Sequence, residues 1–264
     1  MWAAEFGHVD MVKYLVGEAG AKTDMQDRTG RIAMMHAAHR GHTDIVRYFI
    51  EEAGANLDLR DEGSGYTAFL LAAEKGHPDT VQYLIEVGAD VYDKAENGWT
   101  ALMLAAQSGN LTTVKILTRV AGSIVNERAR RDESTALFWA VSGNFPDIVK
   151  HLIEEAGANV DEIDRHGNTA FLLAASRGHV ETVRYMIEGA GANVEDMDEN
   201  GRTALMLAAA YRSLVTVKYL VEEAGANVEF KSERGETALT CAESTGPGRV
   251  TEYLQEVLQA TIDE

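Results

Sequence analysis

Apolar residues recur along the chain in one pattern with a period near 34 residues. Each copy is a run of apolar residues that in most copies opens on a threonine and ends in an alanine pair, as in TALMLAA at residues 100–106. The copies begin at residues 32, 67, 100, 135, 169, 203 and 237. Such a period predicts stacked supersecondary units, because one unit alone has too little apolar surface to fold.

Each unit predicts two helices. The threonine that opens the apolar run is suited to cap the first helix, and a glycine such as Gly41 or Gly178 is suited to end it. A second stretch follows, as in HTDIVRYFIEEAG at residues 42–54, with the i, i+3, i+4 apolar spacing of an amphipathic helix. The Gly- and Asp-rich segment before the next threonine predicts a turn.

Two units lack the glycine at the end of the first helix. In the fifth unit Gly143 comes one residue early and leaves Asn144 at the turn, where asparagine tolerates the left-handed conformation. In the seventh unit Arg212 stands in place of the glycine, and we expect a strained or reshaped turn there.

Composition narrows the class of protein. The 264 residues are 45% hydrophobic, and no stretch approaches the roughly 20 uncharged apolar residues that a membrane-spanning helix needs. The start MWAAEFGHVD lacks the basic region and the apolar core of a secretory signal. A formal charge of −18 argues against binding by neutralisation of phosphates, and a lone Cys241 fits a reducing compartment.

Three histidines at helical spacing, in MMHAAHRGHTD at residues 34–44, raise the question of a metal site. We do not expect one, because Gly41 should end the helix between His39 and His42 and keep the rings from converging. His36 takes the place of Leu104 and Leu173 in other units and is expected to pack between repeats. His39 is expected to face a groove.

Other catalytic constellations are also absent from the sequence. Cys241 lies at an apolar packing position, which favours a buried structural thiol over a nucleophile. Paired acids such as Glu51 and Glu52 recur with the period and are interpreted as solvated helix ends, not as an acid/base pair. No glycine cluster resembles a nucleotide-binding loop. We therefore expect no enzyme activity, no metal and no cofactor.

The repeat resembles the ankyrin repeat across essentially the whole chain. The resemblance rests on the Gly-His between the helices, the AGANV and VGADV strings after the second helix, and the Asp-x-x-Gly turn. The Thr-Pro-Leu-His core of that family is Thr-Ala-Leu-Met or Thr-Ala-Phe-Leu here, so apolar packing replaces a buried histidine. The resemblance implies an all-α solenoid of stacked helix-turn-helix units joined by β-hairpin-like turns, with an interhelical structural role for His42.

With the repeat boundaries set by the 34-residue period, the chain is expected to be a single domain, 1–264, of about eight repeats. The predicted boundaries are 1–26 (partial), 27–60, 61–94, 95–128, 129–163, 164–197, 198–231 and a C-terminal cap at 232–264. The chain begins within a first helix, which leaves Trp2, Met11 and Tyr14 without a preceding unit, and we expect a fragment of a longer array.

The resemblance also implies where a partner binds, since ankyrin ligands usually occupy the concave face formed by the turn tips and the first helices. Positions there that differ between units are not dictated by packing, and we take them as candidates for partner contact. They are Arg28, Arg31, His39, Arg40, Tyr66, Lys75, Trp99, Gln107, Arg131, Arg165, His166, Arg177, Arg202 and Tyr211.

The predicted function is a scaffold or adaptor that binds a partner protein or extended peptide. The arginines among the candidates favour a partner of acidic or mixed charge. We expect a monomer with no nucleic-acid partner and no membrane insertion, located inside the cell in the cytoplasm, with the nucleus as the alternative. A second hypothesis is the targeting or regulatory region of a larger enzyme, such as a kinase or ubiquitin ligase, whose catalytic domain lies outside this chain.

Overall fold

The computed structural model describes residues 1–120 and 122–263 and contains sixteen α-helices in those ranges. They pair as α1 (Trp2–Glu5) and α2 (Val9–Lys13), α3 (Ala33–Arg40) and α4 (Thr43–Glu51), α5 (Ala68–Lys75) and α6 (Pro78–Glu86), α7 (Ala101–Ser108) and α8 (Leu111–Val120), α9 (Ala136–Ser142) and α10 (Pro146–Glu154), α11 (Ala170–Arg177) and α12 (Val180–Glu188), α13 (Ala204–Ala210) and α14 (Leu214–Glu222), and α15 (Ala238–Ser244) and α16 (Arg249–Asp263). The fold is an all-α repeat solenoid, as the sequence predicts.

The chain divides into two compact units, Met1–Arg131 and Asp132–Glu264. Helices α1–α8 belong to the first unit and α9–α16 to the second. A π-helical turn, Tyr14–Glu18, follows α2, and a 3-10 turn, Gly122–Ile124, follows α8. In place of strands, the segments between helix pairs form short hairpins with isolated antiparallel bridges, such as that between Lys94 and Thr100.

The threonines that open the apolar runs cap the first helices. At five of the six, the hydroxyl accepts the backbone N–H three residues on, which satisfies an N–H that the helix leaves without a partner. These are Thr67, Thr100, Thr169, Thr203 and Thr237. Thr135 makes no such bond, and Ile32 has no hydroxyl with which to make one. The predicted caps are therefore confirmed in five repeats.

Left-handed residues end the first helices. Glycine takes this conformation in six repeats, for example Gly41 with φ of 75°. Asn144 and Arg212 take it where the glycine is missing, with φ of 57° and 63°. The left-handed turn costs a side chain roughly 1–2 kcal/mol. Arg212 offsets this cost, because its guanidinium donates to the carbonyls of Thr245 and Pro247 at 3.4 and 2.9 Å.

The first helices form the core of each unit. Their alanine pairs are fully buried, as at Ala105 and Ala106, and the small side chains let successive first helices approach closely. Leucines beside them, such as Leu70 and Leu102, are buried as well, and each contributes about 1.5–3 kcal/mol of hydrophobic free energy. Successive second helices pack against one another less closely than the first helices do.

Successive hairpin tips are joined by backbone hydrogen bonds. In the first unit the N–H of Glu62 donates to the carbonyl of Thr29 at 2.8 Å, and the N–H of Glu96 donates to that of Ser64 at 3.1 Å. In the second unit the N–H of Arg165 donates to the carbonyl of Asp132 at 3.1 Å. These bonds involve main-chain atoms alone, so they do not depend on which side chain the donor residue carries.

The turn between the two helices bonds to the preceding repeat. Nε2 of His42 lies 3.0 Å from the carbonyl oxygen of Glu5, and Nε2 of His77 lies 3.0 Å from that of His39. In the fourth repeat, Asn110 makes the corresponding bond with its side-chain amide, which donates to the Gly76 carbonyl at 2.7 Å. The structural role expected for His42 is therefore confirmed.

Tyrosines of the second helices bond to glutamates at the end of the preceding second helix, in an arrangement that we call a tyrosine–glutamate rung. The hydroxyl donates to the carboxylate at 2.9 to 3.2 Å in the pairs Tyr83–Glu51, Tyr185–Glu154, Tyr219–Glu188 and Tyr253–Glu222. Burial and the nearby Glu154 charge raise the pKa of Tyr185 to about 12. The paired acids at the ends of the second helices are exposed, as expected. Three of them, Glu51, Glu154 and Glu222, also accept a hydrogen bond from the tyrosine of the following repeat.

We expect Tyr219→Phe to lower the free energy of unfolding of the second unit by about 1 kcal/mol, because it removes one hydrogen bond to a carboxylate. Chemical denaturation monitored by circular dichroism measures the change. Tyr211→Phe is the matched control in the same unit, since the hydroxyl of Tyr211 is exposed and bonds to no described residue. An equal effect of the two substitutions would contradict a stabilising role for the rung.

Candidate partner-binding surface

The hairpin tips and the last turns of the first helices carry the candidate residues, and in each unit we call this surface the recognition face. Nine of the fourteen are exposed: Arg28, Arg40, Lys75, Gln107, Arg131, Arg165, His166, Arg177 and Tyr211. The other five are half-buried: Arg31, His39, Tyr66, Trp99 and Arg202. Of the three aromatic candidates only Tyr211 is exposed, with 68% of its surface accessible, whereas Tyr66 and Trp99 are half-buried.

Half-burial follows from the hairpin geometry. The carbonyl of Trp99 accepts the N–H of Ala95 at 2.9 Å, and its own N–H donates to the side chain of Asn97 at 3.1 Å. Tyr66 closes the preceding hairpin in a similar way, with its N–H bonded to the carboxylate of Asp61 at 2.8 Å. Both residues therefore contribute to the hairpin as well as to its surface.

Cations surround His39 in the first unit. Arg31 pairs with Asp61 at 3.1 Å, Arg40 pairs with Glu5 at 2.8 Å, and Lys75 lies 3.5 Å from its neighbour Glu74. Partial burial of the ring and the charges of Lys75, Arg31 and Arg40 lower the pKa of His39 to about 4. Burial of the ring is the larger cause of this shift, and the three cations add to it although each has a carboxylate neighbour.

His36 is a polar link and not the packing residue that its alignment with Leu104 predicts. Its Nε2 lies 2.8 Å from the carboxylate of Asp27 in the hairpin of the same repeat, and its Nδ1 lies 3.9 Å from that of Glu5 in the preceding repeat. Burial would raise the pKa of Asp27, but hydrogen bonds from Thr29, His36 and the Arg31 backbone outweigh it and hold that pKa well below its usual range. The ring is held by carboxylates because it can donate to them, as leucine cannot.

We expect the imidazole of His39 to titrate near pH 4, which NMR of its ring protons measures. Lys75→Gln should raise that pKa, because it removes a nearby cation, whereas Lys115→Gln on helix α8 should leave it unchanged. The unfolded chain binds more protons than the folded chain between pH 4 and 6.5, so this residue lowers stability as pH falls through that window. A titration near 6.5 would show that neither burial nor the neighbouring cations act on the His39 ring as described.

The second unit has a cavity of about 850 Å³ in the recognition face, between the sixth and seventh repeats. Leu173 and Leu207 from α11 and α13 contribute apolar surface, and Arg177 and Tyr211 stand at the ends of these two helices. Polar groups from both hairpins complete the wall, namely Asp164, His166, Asn168, Glu199, Asn200 and Arg202. Burial and the charge of Arg177 lower the pKa of His179 beside this cavity, although the Ser142 carbonyl partly opposes them.

A second cavity, of about 150 Å³, adjoins the first. The two share Ser142, Asp164, Leu173 and Arg177 in their walls, so Arg177 borders both. Phe138 and Trp139 supply the apolar part of the smaller one. The arrangement can bind an apolar side chain and, close to it, a polar or charged one.

The sequence-based candidates did not include the first-helix residues that line the two cavities, Trp139 and Leu173. Trp139 and Leu173 occupy the place held by His36, Leu71, Leu104, Leu207 and Cys241 in the other repeats. A signal was present, because three of these seven positions are not leucine although the residue that follows is alanine in every copy. Variation at that position predicts a change in the surface beneath a bound partner.

Cys241 is buried, and burial raises the pKa of its thiol, followed by a smaller effect of Glu236. Within residues 1–120 and 122–263, no group of three or more His, Cys, Asp or Glu side chains could hold a metal ion. Over the same ranges no helix is long and apolar enough to span a membrane.

A protein-family model described as "Ankyrin repeats (3 copies)" matches the chain at residues 1–95, 51–129, 88–164, 137–232 and 172–263. No curated protein matches the chain. Ankyrin repeats act in general as protein–protein interaction modules. The overlapping matches run from residue 1 to residue 263, the same interval over which helices pair with the 34-residue period, and the chain therefore belongs to the ankyrin-repeat family.

Proposed function

We propose that the chain is a scaffold or adaptor module that binds a partner protein or an extended peptide on its recognition face. One observation carries this proposal. Packing positions of the first helices are buried and nearly identical from repeat to repeat, whereas the neighbouring tip and helix-end positions are largely exposed and differ. Closer packing of the first helices than of the second helices supports a curvature of each unit toward this face, which would suit a bound segment that touches several repeats.

The charge on this face supports a partner of acidic or mixed charge. Arg28, Arg131 and Arg177 are exposed, and no carboxylate of the described residues pairs with them. The acids that make the chain strongly negative include exposed glutamates at the ends of the second helices, such as Glu52 and Glu155, on the other side. An acidic segment is therefore attracted to the recognition face in preference to the back.

Affinity capture with matched surface variants tests the proposal. The recognition-face variant R28A/K75A/Q107A and the back-face variant T112A/K115A/R119A lie in the same unit, and each removes two cations and one neutral polar side chain. All six side chains are exposed, so both variants should fold. We expect partners retained by the intact chain and by the back-face variant to be lost from the recognition-face variant, as measured by quantitative mass spectrometry.

Loss of the same partners from both variants, or from neither, would contradict the proposal. Thermal unfolding of each variant serves as the control, because equal melting temperatures exclude a loss of binding through unfolding. An intracellular location and a monomeric state belong to the same proposal. They are supported by the single buried thiol and are testable by imaging and by light scattering.

A further inference from the structure

Arg177, in the wall of the larger cavity, is a cation that pairs with no carboxylate of residues 1–120 and 122–263. The other charged groups of that wall are mostly occupied, since Arg202 pairs with Asp198 at 2.7 Å. The carboxylate of Asp164 accepts the N–H of His166 at 2.8 Å and both the backbone and amide N–H groups of Asn168. Arg177 is exposed, and no carboxylate of the described residues lies within ion-pair distance of it. A guanidinium with free donors is suited to bind a carboxylate through two parallel hydrogen bonds.

The surroundings of Arg177 limit how much negative charge a ligand can carry. Glu199, on the next hairpin, is a second exposed ion in the same wall and makes no ion pair with a described residue. It repels a second acidic group, as does the net charge of −18 on the whole chain. The wall therefore favours one acidic residue flanked by neutral residues over a run of acidic residues.

The smaller cavity adds an apolar requirement beside the acidic one. Its volume of about 150 Å³ is similar to that of protein cavities that hold benzene, and buried Phe138 and half-buried Trp139 line it. Since Arg177 borders both cavities, an apolar side chain in the smaller one lies next to a group bound at Arg177. Exposed Tyr211 stands in the wall of the larger cavity and offers a ring to cover the ligand there.

We propose that these two cavities bind an extended peptide segment in which a single glutamate or aspartate lies beside one aliphatic or aromatic residue, with its carboxylate on Arg177. This inference rests on the proposed function and adds the chemistry of the partner. Selection of a random 12-residue peptide library displayed on phage against the intact chain tests it. Enriched peptides should share an isolated acidic residue next to an apolar one.

The most enriched peptide then serves as the probe in fluorescence anisotropy. Arg177→Gln should weaken its binding by about tenfold or more, and Arg177→Lys should restore only part of the loss, because lysine cannot form the paired bonds. Replacing the acidic residue of the peptide by its amide should weaken binding similarly, with little further loss on Arg177→Gln. Arg249→Gln is the control, since Arg249 is also an exposed arginine of the second unit without an ion pair to described residues, but it lies on the second helix α16 and not on the recognition face. It should change binding less than twofold.

Other outcomes overturn the proposal. Peptides that lack an acidic residue, or that bind Arg177→Gln within twofold of the intact chain, would show that the recognition face binds peptide by another contact, and the proposed function would stand. A phosphoserine peptide that binds more than tenfold tighter than the glutamate peptide would assign Arg177 to phosphate instead. A library without any enriched peptide would also overturn it, and the capture experiment with the recognition-face variant would decide the proposed function separately.

Discussion

Gly30→Ala is expected to lower the free energy of unfolding of the first unit by about 3 kcal/mol, of which roughly 1–2 kcal/mol is the cost of a left-handed alanine. Gly30 has φ of 76° and is buried at a hairpin tip. A Cβ there would collide with the backbone nitrogen of Glu62, the atom that donates to Thr29 in the next tip-to-tip hydrogen bond. Since backbone atoms carry this contact, a change of rotamer cannot relieve the collision.

Gly54→Ala is the matched control for that prediction. Gly54 has φ of 63° in the same unit, but nothing lies within 4 Å of the Cβ that an alanine would add. It should cost only the roughly 1–2 kcal/mol of the left-handed conformation. The difference between the two variants, measured by denaturant titration, isolates the contact between tips. If both variants lose the same free energy, the tips do not stabilise the stack.

Asp198→Ala should lower the free energy of unfolding of the second unit by about 3 kcal/mol, because it removes a buried carboxylate that accepts several hydrogen bonds. The Asp198 side chain is only 1% exposed. It accepts the N–H of Asn200 and of Arg202 at 2.9 Å each, and the Arg202 guanidinium donates to its second oxygen at 2.8 Å. Its removal leaves backbone donors of the hairpin without a partner.

Two further variants separate the contributions of charge and hydrogen bonding to the stability loss expected for Asp198→Ala. Asp198→Asn keeps an oxygen acceptor and the side-chain volume but loses the charge, so we expect about half of the alanine effect. Glu199→Ala, at the adjacent exposed position, should change stability by less than about 0.5 kcal/mol. Amide hydrogen exchange should show faster exchange at Asn200 and Arg202 in Asp198→Ala alone. Unchanged exchange at those two amides would mean that the carboxylate does not hold the hairpin.

The helices, their caps and their ends could be predicted from the sequence because each depends on residues close together in the chain. A threonine three residues before a backbone N–H, or a glycine at the end of an apolar run, acts within one turn of helix. Asn144 and Arg212 follow the same logic, since the repeat demands a left-handed residue whatever its side chain.

Contacts between repeats were harder to predict. Nothing near Glu188 marks it as the partner of Tyr219, which lies 31 residues further on, because the bond depends on how the two second helices are placed. His36 aligns with leucines, yet carboxylates from two repeats bind it. Trp99 and Tyr66 lie at variable positions, but their hairpins half-bury them. The larger cavity likewise arises only when α11, α13 and their hairpins come together.

The tip-to-tip hydrogen bonds have a consequence for how such a surface diversifies. The donor is a glutamate in the third, fourth and eighth repeats, at Glu62, Glu96 and Glu233, and an arginine at Arg130 and Arg165. Reversal of side-chain charge at these positions leaves the bond in place, because the amide and the carbonyl belong to the main chain. Mutations at these donor positions can therefore accumulate without loss of the folded stack, and a combinatorial library that varies them alone should yield mostly folded proteins with new binding preferences.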